Sequence, residues 1–294
     1  IYTDWGWKNF QNWMHSGLDN FLYTPNGRIH RLLTRISLEN IFHPFQPFMF
    51  GQNYIAPKLS SEMFNINLIF YGESPAEYGN QDSIVSPLKL LDTFSTSNPD
   101  NSFIGGLNLN QLKQFGISKK DLNPYLPINT EKFFDSKNEI HYLGYYIKWH
   151  PQEAYYFAVE NSNFISAPER TAGTYSKYAS LDDKMDDLHY YTTFIKFGVG
   201  RATYDTAQEI RNGELTRDEG INLVKKYDGE YSKRFEKDNF EYLSINKKEF
   251  PIAYKYFDHP KMNKKYFDSL TDQFRSPHLW KYQNKKWQLR KTIY

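Results

Sequence analysis

Four segments hold side chains whose types and spacing could do chemistry. The first is Tyr71-Gly72-Glu73-Ser74-Pro75-Ala76-Glu77-Tyr78-Gly79-Asn80, directly after the apolar run Leu68-Ile69-Phe70-Tyr71. Ligands of open α/β sheets sit at the carboxyl ends of strands. There Glu73 and Glu77, with Gly72 and Asn80 beside them, could hold Mg²⁺ on a polyphosphate; an ordinary polar strand-to-helix loop is the alternative. The second is the acidic cluster Asp182, Asp183, Asp186, Asp187 and His189. Acids in a first helical turn also simply suit the helix dipole, which accounts for Asp182 and Asp183 better than for Asp187 and His189. The third is Lys196-Phe197-Gly198-Val199-Gly200-Arg201-Ala202-Thr203. Thr203 stands where a dinucleotide fingerprint needs glycine, and the segment follows a helix, so that reading fails its context. A bent loop offering Lys196 and Arg201 to phosphate or carboxylate, and a plain helix cap at Gly198, both remain open. The fourth is Pro168 to Lys177, where Arg170, Thr174, Tyr175 and Lys177 surround Gly173; such a loop could recognise a hydroxylated ligand such as a sugar, or be merely polar.

The elements that must position these groups follow from periodicity. Trp7 to His15 reads as a helix ended by Gly17, and Asp19 to Thr24 as a strand closed by Pro25-Asn26-Gly27. Ile29, Leu32, Leu33 and Ile36 share a helix face. Pro44 and Pro47 break the chain, and Pro57 to Phe64 can form a further helix. Leu68 to Tyr71 suits a strand buried on both faces of a parallel sheet. Residues 96–140, dense in Ser, Asn, Asp and Gly, read as an insertion or connection. Beyond about residue 150 the pattern is helical. Leu181, Met185 and Leu188 fall on one face, opposite Asp183, Asp187 and Tyr190, with possible capping boxes at Ser180/Asp183 and Thr216/Glu219. The expected organisation is an α/β region over 1–95, a connection over 96–140 and a mainly helical region over 141–294.

The chain has 294 residues and 18% aromatics, enough for an aromatic-rich core. A net charge of +2 argues against a general nucleic-acid binder, although Arg275, Lys281, Lys285, Lys286, Arg290 and Lys291 form a basic end that reads first as a solvated terminus. The absence of cysteine removes disulfides and thiolate chemistry and fits a cytoplasmic protein. No apolar run is long enough for a membrane span.

Several collinear segments resemble the N-acetyl-sugar amidotransferase family of bacterial surface-sugar biosynthesis. They are Tyr2-Thr3-Asp4-Trp5-Gly6-Trp7-Lys8-Asn9-Phe10, His43-Pro44-Phe45-Gln46-Pro47-Phe48, Gly51-Gln52, Tyr71 to Asn80, Gly173 to Tyr178, Lys196 to Asp205, and Glu209-Ile210-Arg211-Asn212-Gly213. The resemblance implies a Rossmann-like parallel sheet of the PP-loop ATP pyrophosphatase type, incomplete at its N-terminus and followed by a helical region. It implies ATP and Mg²⁺ as cofactors, a nucleotide-activated N-acetyl sugar as substrate, and a glutaminase subunit, with a cyclase-like subunit a further partner. ATP would adenylate the N-acetyl oxygen, and ammonia would displace AMP to leave an acetamidino group. On this reading Gly72, Glu73, Glu77 and Asn80 lie at ATP–Mg²⁺. Arg170, Thr174, Tyr175, Lys177, Asp183, Asp187, His189, Lys196 and Arg201 become candidate sugar or phosphate contacts.

The sequence departs from the family in starting at Ile1, after the expected cysteine-rich segment, where zinc would bind, and after the SGGKDS-type loop that wraps pyrophosphate. The expectation is therefore a chain that is inactive and marginally stable alone, with its catalytic residues unassigned. The alternative from another class is a non-catalytic module binding a nucleotide-sugar or a partner. Another PP-loop enzyme, tRNA-thiolating or amide-forming, fits the C-terminal aromatic and acidic segments less well, and the want of a dominant basic face argues against tRNA.

Overall fold

The computed structural model describes residues 1–74, 77 and 91–292. Helix α1, Asp4–Met14, starts where the Thr3 hydroxyl accepts the Gly6 N–H at 3.0 Å. The strand expected over Asp19 to Thr24 is irregular chain. Strand-type residues make a strand only with a partner ladder, and no strand among the described residues pairs with them. Helix α2, Gly27–Ile41, is capped by the Asn26 side chain and buries Leu32, Leu33 and Ile36. Helix α3, Gln46–Leu59, takes Pro47 into its first turn, where a missing N–H costs nothing. Pro57 lies inside α3, and a π-helical turn, Ser60–Phe64, follows. The helix expected to begin at Pro57 is thus the end of a longer one.

Strand β1 is Leu68–Tyr71, as the apolar run predicted, but Leu68 and Phe70 are half exposed, so it is not buried on both faces. After it come α4 (Leu91–Phe94), β2 (Ser95–Thr96), β3 (Phe103–Ile104), β4 (Leu107–Asn108), α5 (Leu109–Gln114) and α6 (Lys119–Leu122). Strand β5 (Ile128–Asn129), α7 (Thr130–Asp135) and β6 (Glu139–Tyr142) complete this part. β1 pairs with β6 and β2 with β5, both in parallel, while β3 and β4 form an antiparallel hairpin. Parallel pairs with intervening helices give the expected α/β character, in two-stranded sheets.

The rest is mainly helical, as the pattern implied. It comprises α8 (Pro151–Ser162), α9 (Asp186–Phe197), α10 (Arg201–Asn212), α11 (Arg217–Tyr227), α12 (Glu236–Leu243) and α13 (Lys264–Gln273). The capping box at Thr216/Glu219 opens α11. That at Ser180/Asp183 does not form: α9 begins at Asp186, and Ser180 lies in the left-handed region at φ 51°. The basic end is a hairpin, β7 (Trp280–Gln283) and β8 (Lys286–Leu289), with the Arg275 guanidinium over the Trp280 and Trp287 rings.

The chain divides into two compact units, one of Ile1–Tyr23, His150–Ser244 and Lys261–Tyr294, the other of Thr24–Trp149 and Ile245–Pro260. Residues 96–140 therefore belong to the second unit rather than standing apart. Their apolar side chains Ile104, Leu112, Ile117 and Leu122 pack with Leu33 and Ile36 of α2 in its main core. A smaller cluster, Phe94, Ile128, Phe133, Ile140 and Tyr142, lies around the parallel strands.

At the edge of that main core Arg35 is fully buried, its guanidinium 2.5 Å from both Glu39 Oε1 and the His259 carbonyl and stacked over Phe257. Removing one partner of a buried ion pair leaves the other uncompensated. Arg35→Ala should lower unfolding stability by about 3 kcal/mol, measured by urea denaturation, whereas a loss below about 0.5 kcal/mol would show that Glu39 and the His259 carbonyl are solvated instead.

Candidate functional site

In the first unit the Pro168–Lys177 loop is folded on itself. The Thr171 N–H donates to the Ser176 carbonyl at 2.9 Å, the Thr171 hydroxyl to the Ala179 carbonyl at 2.8 Å, and both Thr171 and Thr174 are fully buried. The loop lies against α10, where the Ala202 N–H donates to the Gly173 carbonyl at 2.9 Å. One face of α10, at i, i+4 and i+8, carries Arg201, Asp205 and Glu209. The Thr174 hydroxyl donates to Asp205 Oδ2 at 2.5 Å and the Tyr175 hydroxyl to Glu209 Oε2 at 2.8 Å. Arg201 pairs with Asp205 at 2.8 Å and donates to the Tyr190 hydroxyl of α9 at 2.5 Å. Burial raises the Glu209 carboxyl above its ordinary range, and burial with the Glu209 hydrogen bond raises the Tyr175 phenol.

Arg170 makes a two-pronged pair with Glu230, 2.6 Å on each side, and lies over the Tyr227 ring. That bond raises the Arg170 guanidinium and lowers the Glu230 carboxyl. Asp187 is buried and pairs with Arg234 at 3.2 Å. Its Oδ2, Arg234 Nε and Trp5 Nε1 are buried atoms without a hydrogen-bond partner. Such atoms are costly and so are uncommon in a settled core.

Thr174, Tyr175 and Arg201 thus meet on one helix face, with Arg170 at its border and Asp187 on the neighbouring Arg234. The other candidates lie apart. Lys177 is exposed, 3.5 Å from the Pro168 carbonyl. Lys196 is at the far end of α9, its ammonium over the Phe197 ring and lowered by burial. Asp183 Oδ1 accepts the Met185 N–H at 2.8 Å, just before α9. The His189 ring packs on Tyr190 at 5.0 Å. Gly198 caps α9 in the left-handed region, and Asp228 accepts the amides of Gly200 and Thr203 that a phosphate would use. Sequence reasoning missed Asp205, Glu209, Asp228, Glu230 and Arg234. The Arg201/Asp205/Glu209 spacing was the one available signal.

In the second unit Glu73 follows β1 and is exposed. Glu77 Oε2 accepts the Ser74 N–H at 3.3 Å, and its carboxylate lies so close to Gly144 that a Cβ there would overlap it. A Cβ on Gly72 would meet open space. Asn80 lies outside the described residues. Among the described residues no three His, Asp or Glu side chains converge as a metal set. Mg²⁺ carried on a polyphosphate needs only one or two protein carboxylates; Glu73 is exposed enough to offer one, whereas Glu77 Oε1 is buried against Gly144.

Asp186, in the first turn of α9, is buried, and its carboxyl is held well above the ordinary aspartate range, mainly by burial and then by Asp182 and Asp183. Folding therefore favours its protonated form. That contribution is complete below the unfolded value of about 3.9 and is lost as pH rises through the folded value. Asp186→Asn should melt higher than the parent at about pH 7, with the gap closing by about pH 4. Thermal melts across this range check it, and a gap that widened on acidification would reverse the assignment.

Residues 172–294 match the family model described as LPS biosynthesis protein WbpG-like, C-terminal domain. The match opens inside the Thr171–Lys177 loop and takes in α9, α10 and everything after them. No curated protein matches the chain significantly. From the Gly173 loop onward, the chain is similar to an LPS-biosynthesis domain.

Proposed function

We propose that this chain is part of an ATP-dependent amidotransferase of LPS biosynthesis that converts a sugar N-acetyl group to an acetamidino group. The observation carrying this reading is the coincidence of the WbpG-like match with the α10 polar face. Carboxylates, a phenol and a guanidinium on one face are the donors and acceptors that a hydroxylated, anionic nucleotide-sugar needs.

In the proposed reaction the N-acetyl carbonyl oxygen attacks the α-phosphorus of ATP and pyrophosphate leaves. Ammonia from a partner glutaminase adds to the activated carbon and gives up one proton, and AMP departs with the original oxygen to leave the acetamidino group in its amidinium form. Arg170 and Arg201 suit the sugar-nucleotide phosphates. Thr174, Tyr175, Asp205 and Glu209 suit the sugar hydroxyls, each exchanging an internal hydrogen bond for one to the ligand. Glu73 and Glu77 are the candidate ATP carboxylates of the second unit, where Mg²⁺ would stabilise charge on the departing pyrophosphate.

The test is titration of the purified chain with UDP-N-acetylglucosamine and UDP-N-acetylgalactosamine, then assay for AMP with ammonium chloride as nitrogen source. Binding is expected for at least one of the sugars, weakened about tenfold by Thr174→Val. Binding without AMP formation would favour a non-catalytic nucleotide-sugar module, and binding of neither sugar would remove the sugar assignment. In a chain that does form AMP, Glu73→Ala should cut the rate about tenfold or more, and an unchanged rate would take Glu73 out of the ATP site.

A further inference from the structure

Three consecutive residues after α11, Asp228-Gly229-Glu230, bind two separate segments of the candidate site. Asp228 reaches the turn between α9 and α10. Its Oδ2 accepts the Gly200 N–H at 2.9 Å and the Thr203 hydroxyl at 2.5 Å, and its Oδ1 accepts the Thr203 N–H at 3.2 Å. Glu230 reaches the other loop. Its Oε2 accepts the Gly173 N–H at 2.9 Å and an Arg170 N–H at 2.6 Å, and its Oε1 accepts the second Arg170 N–H at 2.6 Å. Between them Gly229 sits at φ 79°, and a Cβ there would overlap the Phe194 ring. Only glycine accepts both this backbone and this contact, so it permits the turn that sends the two carboxylates to different segments. Gly200 is packed as tightly, since a Cβ on it would lie 2.7 Å from Asp228 Oδ1. Burial pushes the Asp228 carboxyl above its ordinary range, while hydrogen bonds from the Thr203 hydroxyl and from the Gly200, Thr203 and Ala202 amides pull the other way.

We infer that Asp228-Gly229-Glu230 is a two-pronged clamp that holds the Arg170–Lys177 loop and the Gly198–Thr203 turn in one fixed spacing. Asp228 and Glu230 are thereby positioning residues for whatever is bound by Arg170, Thr174, Tyr175 and Arg201. The positioning role rests on the nucleotide-sugar reading above; the mechanical coupling of the two segments does not. Each carboxylate accepts from donors on one segment only, so the coupling passes through the Gly229 link, packed on the Phe194 ring, and the Gly173–Ala202 bond. Loosening either prong should be felt at both segments.

Hydrogen exchange of the full chain tests the coupling without any ligand. Glu230→Ala should speed exchange about tenfold or more at the Gly173 amide and also at the Gly200 and Thr203 amides. Asp228→Ala should do the mirror image, and Thr203→Val supplies a milder cut of the same prong if Asp228→Ala does not fold. Glu230→Gln, which keeps an acceptor for the Gly173 N–H, should restore protection there. Exchange that quickens only at the amides of the mutated prong overturns the clamp. Titration with UDP-N-acetylglucosamine and UDP-N-acetylgalactosamine then tests positioning. Either single alanine variant should weaken binding about tenfold, and the double variant little further, because both losses break one device. Losses that simply add overturn positioning through a shared strap. If the parent binds neither sugar while the exchange coupling holds, the nucleotide-sugar reading falls and the clamp stands.

Discussion

A carboxylate taken out of water must be met by donors, and the first unit is organised around that requirement. Asp187 is buried, Asp205, Glu209, Asp228 and Glu230 are partly so, and each has a named donor. Those donors come from loops and helix ends, not from a ladder. Arg170, Gly173, Thr174 and Tyr175 belong to one loop, and Gly200, Arg201 and Thr203 to the start of one helix. Pairing the acids therefore fixes the loop against α10. The same pairing places a guanidinium, a phenol and two carboxylates on one face, each already within hydrogen-bond reach of another.

The second unit meets the same rule with the sign reversed. Arg35 is enclosed by Glu39, the His259 carbonyl and the Phe257 ring. The Lys58 ammonium, pulled down to about 8 by burial, donates to the carbonyls of Asn123 and Leu126. These contacts tie α2 and α3 to chain that is distant in sequence, and the apolar residues of 96–140 fill the space between them. The parallel pairs β1–β6 and β2–β5 are too short to bury a large sheet face, so the unit relies on its helical core instead.

On the proposed reading, ligand binding at the α10 face has to displace groups that already satisfy one another. A ligand gains only the difference between its own hydrogen bonds and those it displaces, so such a face favours specificity over raw affinity. A hydroxyl-rich ligand can replace Thr174 at Asp205 or Tyr175 at Glu209 one bond for one. An apolar ligand cannot.

Local features were legible in the sequence. The Ile29, Leu32, Leu33 and Ile36 face of α2, Thr216 with Glu219 opening α11, and the run Leu68–Tyr71 each act over a few neighbouring residues, so residue type and spacing suffice. The same local logic misplaced Asp19–Thr24, where a strand needed a partner from elsewhere in the chain, and the start of α9, where Asp182 and Asp183 before Asp186 resembled a first turn. For the site, Arg170, Thr174, Tyr175 and Arg201 stood out because polar side chains flank glycines. Their partners did not, because Glu230 meets Arg170 from sixty residues away, Asp205 and Glu209 look like any solvated helix face, and Asp228-Gly229-Glu230 looks like any turn. A sequence states which residues carry charge. Which of those charges leave water, and which donors then meet them, is decided only when segments remote in the chain are packed together.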